Sequence, residues 1–130
     1  MMTKKHPQRG FTLIELIVVM AIVALLTSIA APRYFGGLQK SRETALRTSL
    51  ETMRDAIDHY VADKGKYPDS LRQLAELHYI REIPEDPLSG KRDQWVEVMP
   101  PPDAQSAGNL YDVRSGAAGR ASDGRLYADW

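Results

Sequence analysis

Three histidines, several aspartates and one serine are the side chains of this 130-residue sequence that invite a catalytic reading. His6, His59 and His78 are scattered, with no HExxH arrangement and no spacing suited to a metal. Ser115 lacks the G-x-S-x-G elbow that presents a nucleophile, and no base is placed beside it. Gly116, Gly119 and Gly124 are not followed by G-K-[ST], so they do not form a phosphate loop. The aromatic residues Trp95, Tyr111, Tyr127 and Trp130 read as the core of a small sheet. Lys91-Arg92 and Arg120 with Arg125 are too sparse for the basic stripe that nucleic acid requires. The absence of cysteine excludes a disulfide framework, thiol catalysis and a thiolate zinc site together. No catalytic residue is assigned, and the chain reads as a non-enzyme without a nucleic-acid partner.

The residue with the most chemistry to explain is Glu15. From Ile14 to Ala31 the sequence is apolar except for Glu15, Thr27 and Ser28. Residues 11 to 31 form a helix of about 30 Å at ~1.5 Å per residue, the thickness of a hydrocarbon core. A carboxylate inside such a span costs on the order of 2.5 to 3.5 kcal/mol on insertion scales. Glu15 either sits near the interface and reaches water, or it meets a cation at its own depth. Lys4, Lys5 and Arg9 precede the apolar run with no acidic residue among them, which places residues 1–10 in the cytoplasm and residues 33–130 across the membrane.

Net charge is zero over the whole chain, so no global basic field is present. The three basic residues of the first ten leave 14 basic and 17 acidic side chains beyond them, a mildly acidic body of net −3. Outside the span remain roughly 95 residues, a small domain that buries only about 60% of its unfolded surface.

The segment RGFTLIELIVVMAIVALLTSIAAPRY, with its basic leader, Gly10, Phe11 and Glu15 in register, resembles the prepilin signal shared by type IV pilins and type II secretion pseudopilins. The resemblance implies cleavage between Gly10 and Phe11 by a prepilin peptidase on the cytoplasmic side, and N-methylation of Phe11. It also implies that Glu15 meets the N-terminal amine of a neighbouring subunit in a filament. Pro32 is the other candidate assembly position. It removes a helical hydrogen bond and either kinks or locally melts the helix.

The expected fold is α+β and pilin-like: a leader at 1–10, a transmembrane and filament-core helix at 11–32, and a periplasmic head at 33–130. The helix continues to about residue 63, because Leu46, Leu50, Met53, Ile57 and Tyr60 recur at spacings of four and three and make one apolar stripe. Gly36-Gly37 weakens it at a cost of roughly 1 kcal/mol per glycine. Gly65, Tyr67 and Pro68 end it, and Ser70 with Gln73 reads as the capping box of a short helix through about Leu77. Residues 83–90 read as ordered loop. Asp93–Val98, Leu110–Arg114 and Arg125–Trp130 are strand candidates for a sheet of two or three strands laid on the stripe.

Within the class, the pattern YP-x-x-L-x-x-L, Asp86-Pro87, a later tryptophan and the ending Y-D-x-x-S-G…D-G…W resemble the major pseudopilin of type II secretion. A type IV pilin, major or minor, or a competence-type pseudopilin is the alternative. The resemblance implies an inner-membrane, single-pass subunit that polymerises with itself into a periplasmic filament. Its implied partners are the peptidase, minor pseudopilins, an inner-membrane assembly platform and a cytoplasmic assembly ATPase. It also implies calcium in the C-terminal loop, with Asp112, Asp123 and Asp129 as candidate ligands. One departure stands out: the chain reads Gly116-Ala117-Ala118-Gly119 where the family loop commonly carries an aspartate.

Overall fold

The computed structural model describes residues 2–103 and 107–130. It contains a helix α1 (Leu13–Lys64), a short helix α2 (Leu71–Glu76), two strands, β1 (Val96–Val98) and β2 (Asp112–Arg114), and a 3-10 turn at Tyr127–Asp129. The architecture is α+β, as the residue patterns indicate. The chain divides into two compact units, Met1–Gly37 and Leu38–Trp130.

In the first unit, α1 begins at Leu13, two residues after the start expected at residue 11. Thr12 supplies the reason: its hydroxyl accepts from the Glu15 N–H at 3.2 Å, and the Glu15 carboxylate accepts from the Thr12 N–H at 3.4 Å. This reciprocal pair is a capping box, satisfying donors that a helix start otherwise leaves bare. The two hydroxyls of the apolar run are also provided for. Thr27 donates to the Val23 carbonyl and Ser28 to the Leu25 carbonyl, both at 2.7 Å, so neither leaves an unmet donor on the apolar surface. Within this unit the apolar side chains have no cover among the described residues: Leu13, Ile14, Met20, Leu25 and Leu26 are all more than 60% exposed. Helix α1 contains Pro32, and helical backbone continues on both sides of it.

In the second unit, α1 buries Leu46, Leu50, Met53, Ala56, Ile57 and Tyr60, the stripe set by the three-and-four spacing. The cover comes from Leu71, Leu74, Ile80, Trp95, Leu110, Val113, Ala117, Ala121, Tyr127 and Trp130. Most of these belong to loops, so burial onto α1 does the work that extended secondary structure does elsewhere. The sheet is one antiparallel ladder of three pairs, Val96 with Arg114, Glu97 with Val113 and Val98 with Asp112. The third strand candidate does not form. Arg125–Trp130 contributes an isolated bridge between Leu126 and Arg120 and then the 3-10 turn. Tyr127 and Trp130 are buried while Leu126 is 40% exposed. A spacing of three suits a 3-10 turn, whereas a strand would bury alternate residues.

Helix ends carry much of the local specification. Gly65, at φ 71°, stops α1, with its N–H bonded to the Val61 carbonyl at 2.8 Å. Ser70 caps α2 by accepting from the Gln73 N–H at 3.2 Å, and the Gln73 side chain accepts from Asp69 rather than from Ser70 itself. Glu97 of β1 accepts from the Leu71 N–H at 3.0 Å, fastening the sheet to the start of α2. At the other end His78 adopts φ 62°, its N–H bonded to the Ala75 carbonyl and the next N–H, of Tyr79, to the Leu74 carbonyl. That is a Schellman motif with histidine where glycine is favoured. An L-residue in this conformation costs about 1–2 kcal/mol. His78→Gly is expected to raise the melting temperature of the head, and His78→Val to lower it, in thermal unfolding followed by circular dichroism.

Candidate functional site

The residues assigned to processing lie together at the head of α1. Arg9, Gly10, Phe11 and Glu15 line one shallow concavity. Residues 2–12 have no regular structure, and Phe11 is 85% exposed. A non-helical, uncovered peptide at Gly10-Phe11 is open to a peptidase, whereas a bond inside a helix is not accessible for attack. The exposed Glu15 carboxylate accepts from the Thr12 N–H, and among the described residues no cation is paired with it. The pattern Thr12-x-x-Glu15 is a capping-box signature, and it is the sequence signal that marks where the helix starts.

The C-terminal loop presents a different picture from the implied metal site. Asp112 accepts from Arg54 Nε at 2.8 Å and from the Val113 N–H at 2.7 Å. Asp123 accepts from the Arg125 N–H at 3.0 Å and from Arg125 Nε at 2.9 Å. The backbone N–H of Arg125, followed by its guanidinium, holds the Asp123 carboxyl below the ordinary value. Asp112 and Asp129 share an open cleft of about 450 Å³ with Arg47, Arg54, Arg114 and Arg125. The guanidinium carbons of Arg47 and Arg125 lie 4.6 and 5.6 Å from the centre of the Trp130 ring. Among the described residues, no group of three His, Asp or Glu side chains is placed to hold a metal ion. The donor set does not fit calcium, because guanidinium groups occupy the surroundings of the carboxylates that the ion needs.

Two buried carboxylates that the sequence reading left unassigned hold the loop instead. Asp86, fully buried, accepts from the N–H groups of Leu88 and Ser89 at 2.9 and 3.4 Å and from the Ser115 hydroxyl at 2.8 Å. The Ser115 oxygen in turn accepts from the Ala117 N–H at 3.1 Å. Next to it Gly116 passes against Gln94 so closely that a Cβ there would overlap the Gln94 carbonyl. Glu43 is the second. It is 6% exposed on the α1 stripe and accepts from the Ser122 N–H, the Ser122 hydroxyl and the Tyr127 hydroxyl at 2.7, 2.7 and 3.0 Å. A third tie, from Arg54 Nη2 to the Val113 carbonyl at 2.9 Å, joins α1 to β2. Position 43 lies three residues before Leu46, so a charged residue at a stripe position was the available signal.

A family profile described as the prokaryotic N-terminal methylation motif matches residues 5–31. The head of α1 with its exposed Gly10-Phe11 peptide thus defines the prepilin class. The type II secretion system core protein G of Klebsiella pneumoniae is 33% identical over 96 residues, covering 62% of this chain and 69% of the relative. That of Klebsiella michiganensis is 29% identical over 103 residues, covering 67% and 72%. The type IV major pilin PilA of Myxococcus xanthus is 33% identical over 66 residues, but covers only 51% of this chain and 30% of the pilin. No solved structure matches the chain. The protein belongs to the type II secretion system core protein G family, the major pseudopilins.

The loop contacts of Glu43 set a pH response. The Ser122 hydroxyl above all, then the Ser122 N–H and the Tyr127 hydroxyl, hold its carboxyl below the ordinary 4.5, against opposition from burial and from the Asp123 charge. A carboxyl lowered on folding adds stability that is present above its unfolded value and disappears as pH falls through the folded one. The melting temperature of wild type is therefore expected to drop as pH falls below 4.5, and Glu43→Gln to show a shallower drop. Parallel melts of the two proteins from neutral to acid pH check this.

Proposed function

We propose that this protein is the major structural subunit of a periplasmic pseudopilus serving type II protein secretion. In this reading the chain is cut between Gly10 and Phe11 by a prepilin peptidase and methylated at Phe11. It lies in the bacterial inner membrane with residues 1–10 cytoplasmic and residues 33–130 periplasmic. The observation that carries the reading is the head of α1: an exposed, non-helical Gly10-Phe11 peptide directly before a capped helix whose apolar side chains have no cover among the described residues of their own unit. Such a surface is a large apolar patch in search of lipid or of other copies.

Glu15 has a place in this assembly. Cleavage creates an amine at Phe11, and a Glu15 carboxylate and a Phe11 amine from different copies offset charges that are each costly in lipid. Apolar packing of residues 11–31 supplies the rest of the filament core, with Pro32 as the position at which the helix can adjust its backbone. Minor pseudopilins and the inner-membrane platform are the expected further partners, and a cytoplasmic ATPase the motor. The subunit itself catalyses no reaction. His59 lies exposed on α1 against the Asp55 carbonyl at 2.7 Å and His78 serves a backbone turn, which supports structural roles for both.

Intact mass of the membrane-extracted protein, expressed with and without a prepilin peptidase, tests the reading. Loss of residues 1–10 and gain of one methyl group are expected with the peptidase, and neither with Gly10→Ala. A chain that keeps its leader, or is cut after Ala31, overturns it. Glu15→Val is expected to be processed normally and to form no filaments in a surface-shearing or cross-linking assay.

A further inference from the structure

We propose that the C-terminal loop of this protein is closed by the Glu43 carboxylate of α1 in place of a metal ion, and that the head folds and stays folded without calcium. The argument rests on polarity. A calcium site gathers oxygen acceptors around a cation. Here the loop turns donors inward upon an anion: the Ser122 N–H and the Tyr127 hydroxyl both reach Glu43 Oε1, and the Ser122 hydroxyl reaches Oε2. A carboxylate buried to this degree is tolerated only when such donors satisfy it.

The carbonyls that a metal would recruit are already engaged inside the loop. Gly119 O accepts from the Tyr127 N–H at 3.2 Å, Ala121 O from the Gly124 N–H at 3.0 Å, and Arg125 O from the Ala121 N–H at 2.7 Å. Gly124 O accepts from Arg120 Nη1 at 2.9 Å. Both oxygens of Asp123 are taken by Arg125, and Asp112 by Arg54. Ala118 stands where the family resemblance puts a further carboxylate. The same loop segment that a metal would gather from outside is thus fastened to α1 from inside.

The test uses the full-length protein in detergent, whose two tryptophans, Trp95 and Trp130, both report on the head. Calorimetric titration of wild type with calcium chloride is expected to show no saturable binding. The fluorescence melting temperature is expected to be the same in excess EGTA and in millimolar calcium. Tyr127→Phe and Ser122→Ala, each removing one donor, are expected to lower it by roughly 5 °C in both buffers, the scale of one buried hydrogen bond in a domain of this size. Saturable calcium binding, a melting temperature that falls in EGTA, or an unchanged melt in both variants would overturn the proposal. Because none of these readouts needs processing or polymerisation, the result stands apart from the filament assay.

Discussion

One apolar stripe on one helix is the constraint around which the head is arranged. Leu46, Leu50, Met53, Ile57 and Tyr60 must be taken out of water, each side chain contributing about 1.5–3 kcal/mol when fully buried. The cover is a segment with only six strand residues and a six-residue helix. A ladder of three pairs is too small to be stable alone. The loops therefore take their shape from what they cover, with Trp95, Leu110, Val113, Tyr127 and Trp130 packed into the core from three separate stretches.

Apolar burial has no direction, so it does not by itself choose one path for the covering loops. Direction comes from a few polar ties whose partners are far apart in sequence. Arg54 meets Asp112 and the Val113 carbonyl, Asp86 meets Ser115, and Glu43 meets Ser122 and Tyr127. Hydrogen bonds to a charged acceptor are worth about 1.5–3 kcal/mol, and leaving one partner buried alone costs at least as much. A register slip in the loops strands a carboxylate, which makes these ties selectors of conformation as well as stabilisers.

Periodicity made α1 legible from its residues, and the Ser70 cap and Gly65 stop were legible because a single residue type meets a single backbone need. Less was visible where several distant residues act together. Glu43 broke an apolar pattern, and its donors lie 79 and 84 positions away, so no local window contains the site. Asp86 looked like part of a proline turn, which it is, but its burial depends on Ser115. Arg125–Trp130 has the aromatic content of a strand, and only the three-residue interval between Tyr127 and Trp130 distinguishes a 3-10 turn. The aspartates suggested as calcium ligands share a neighbourhood with arginines from α1 and the loop, something that composition does not reveal.

The capping box at Thr12 and Glu15 bears on what a cut after Gly10 leaves behind. Both members of the box lie downstream of the proposed cut, so the cut would remove neither of the groups that start the helix. The ammonium group that the proposed cut would leave at Phe11, however, would lie one residue before the helix cap, at the positive pole of the α1 dipole, where a cation is disfavoured. Its own Glu15 is already turned back upon the Thr12 N–H. In the proposed filament, a carboxylate from another copy would relieve that mismatch without dismantling the cap of the helix that carries the amine, so that the unfavourable end of one subunit would become a reason to add the next.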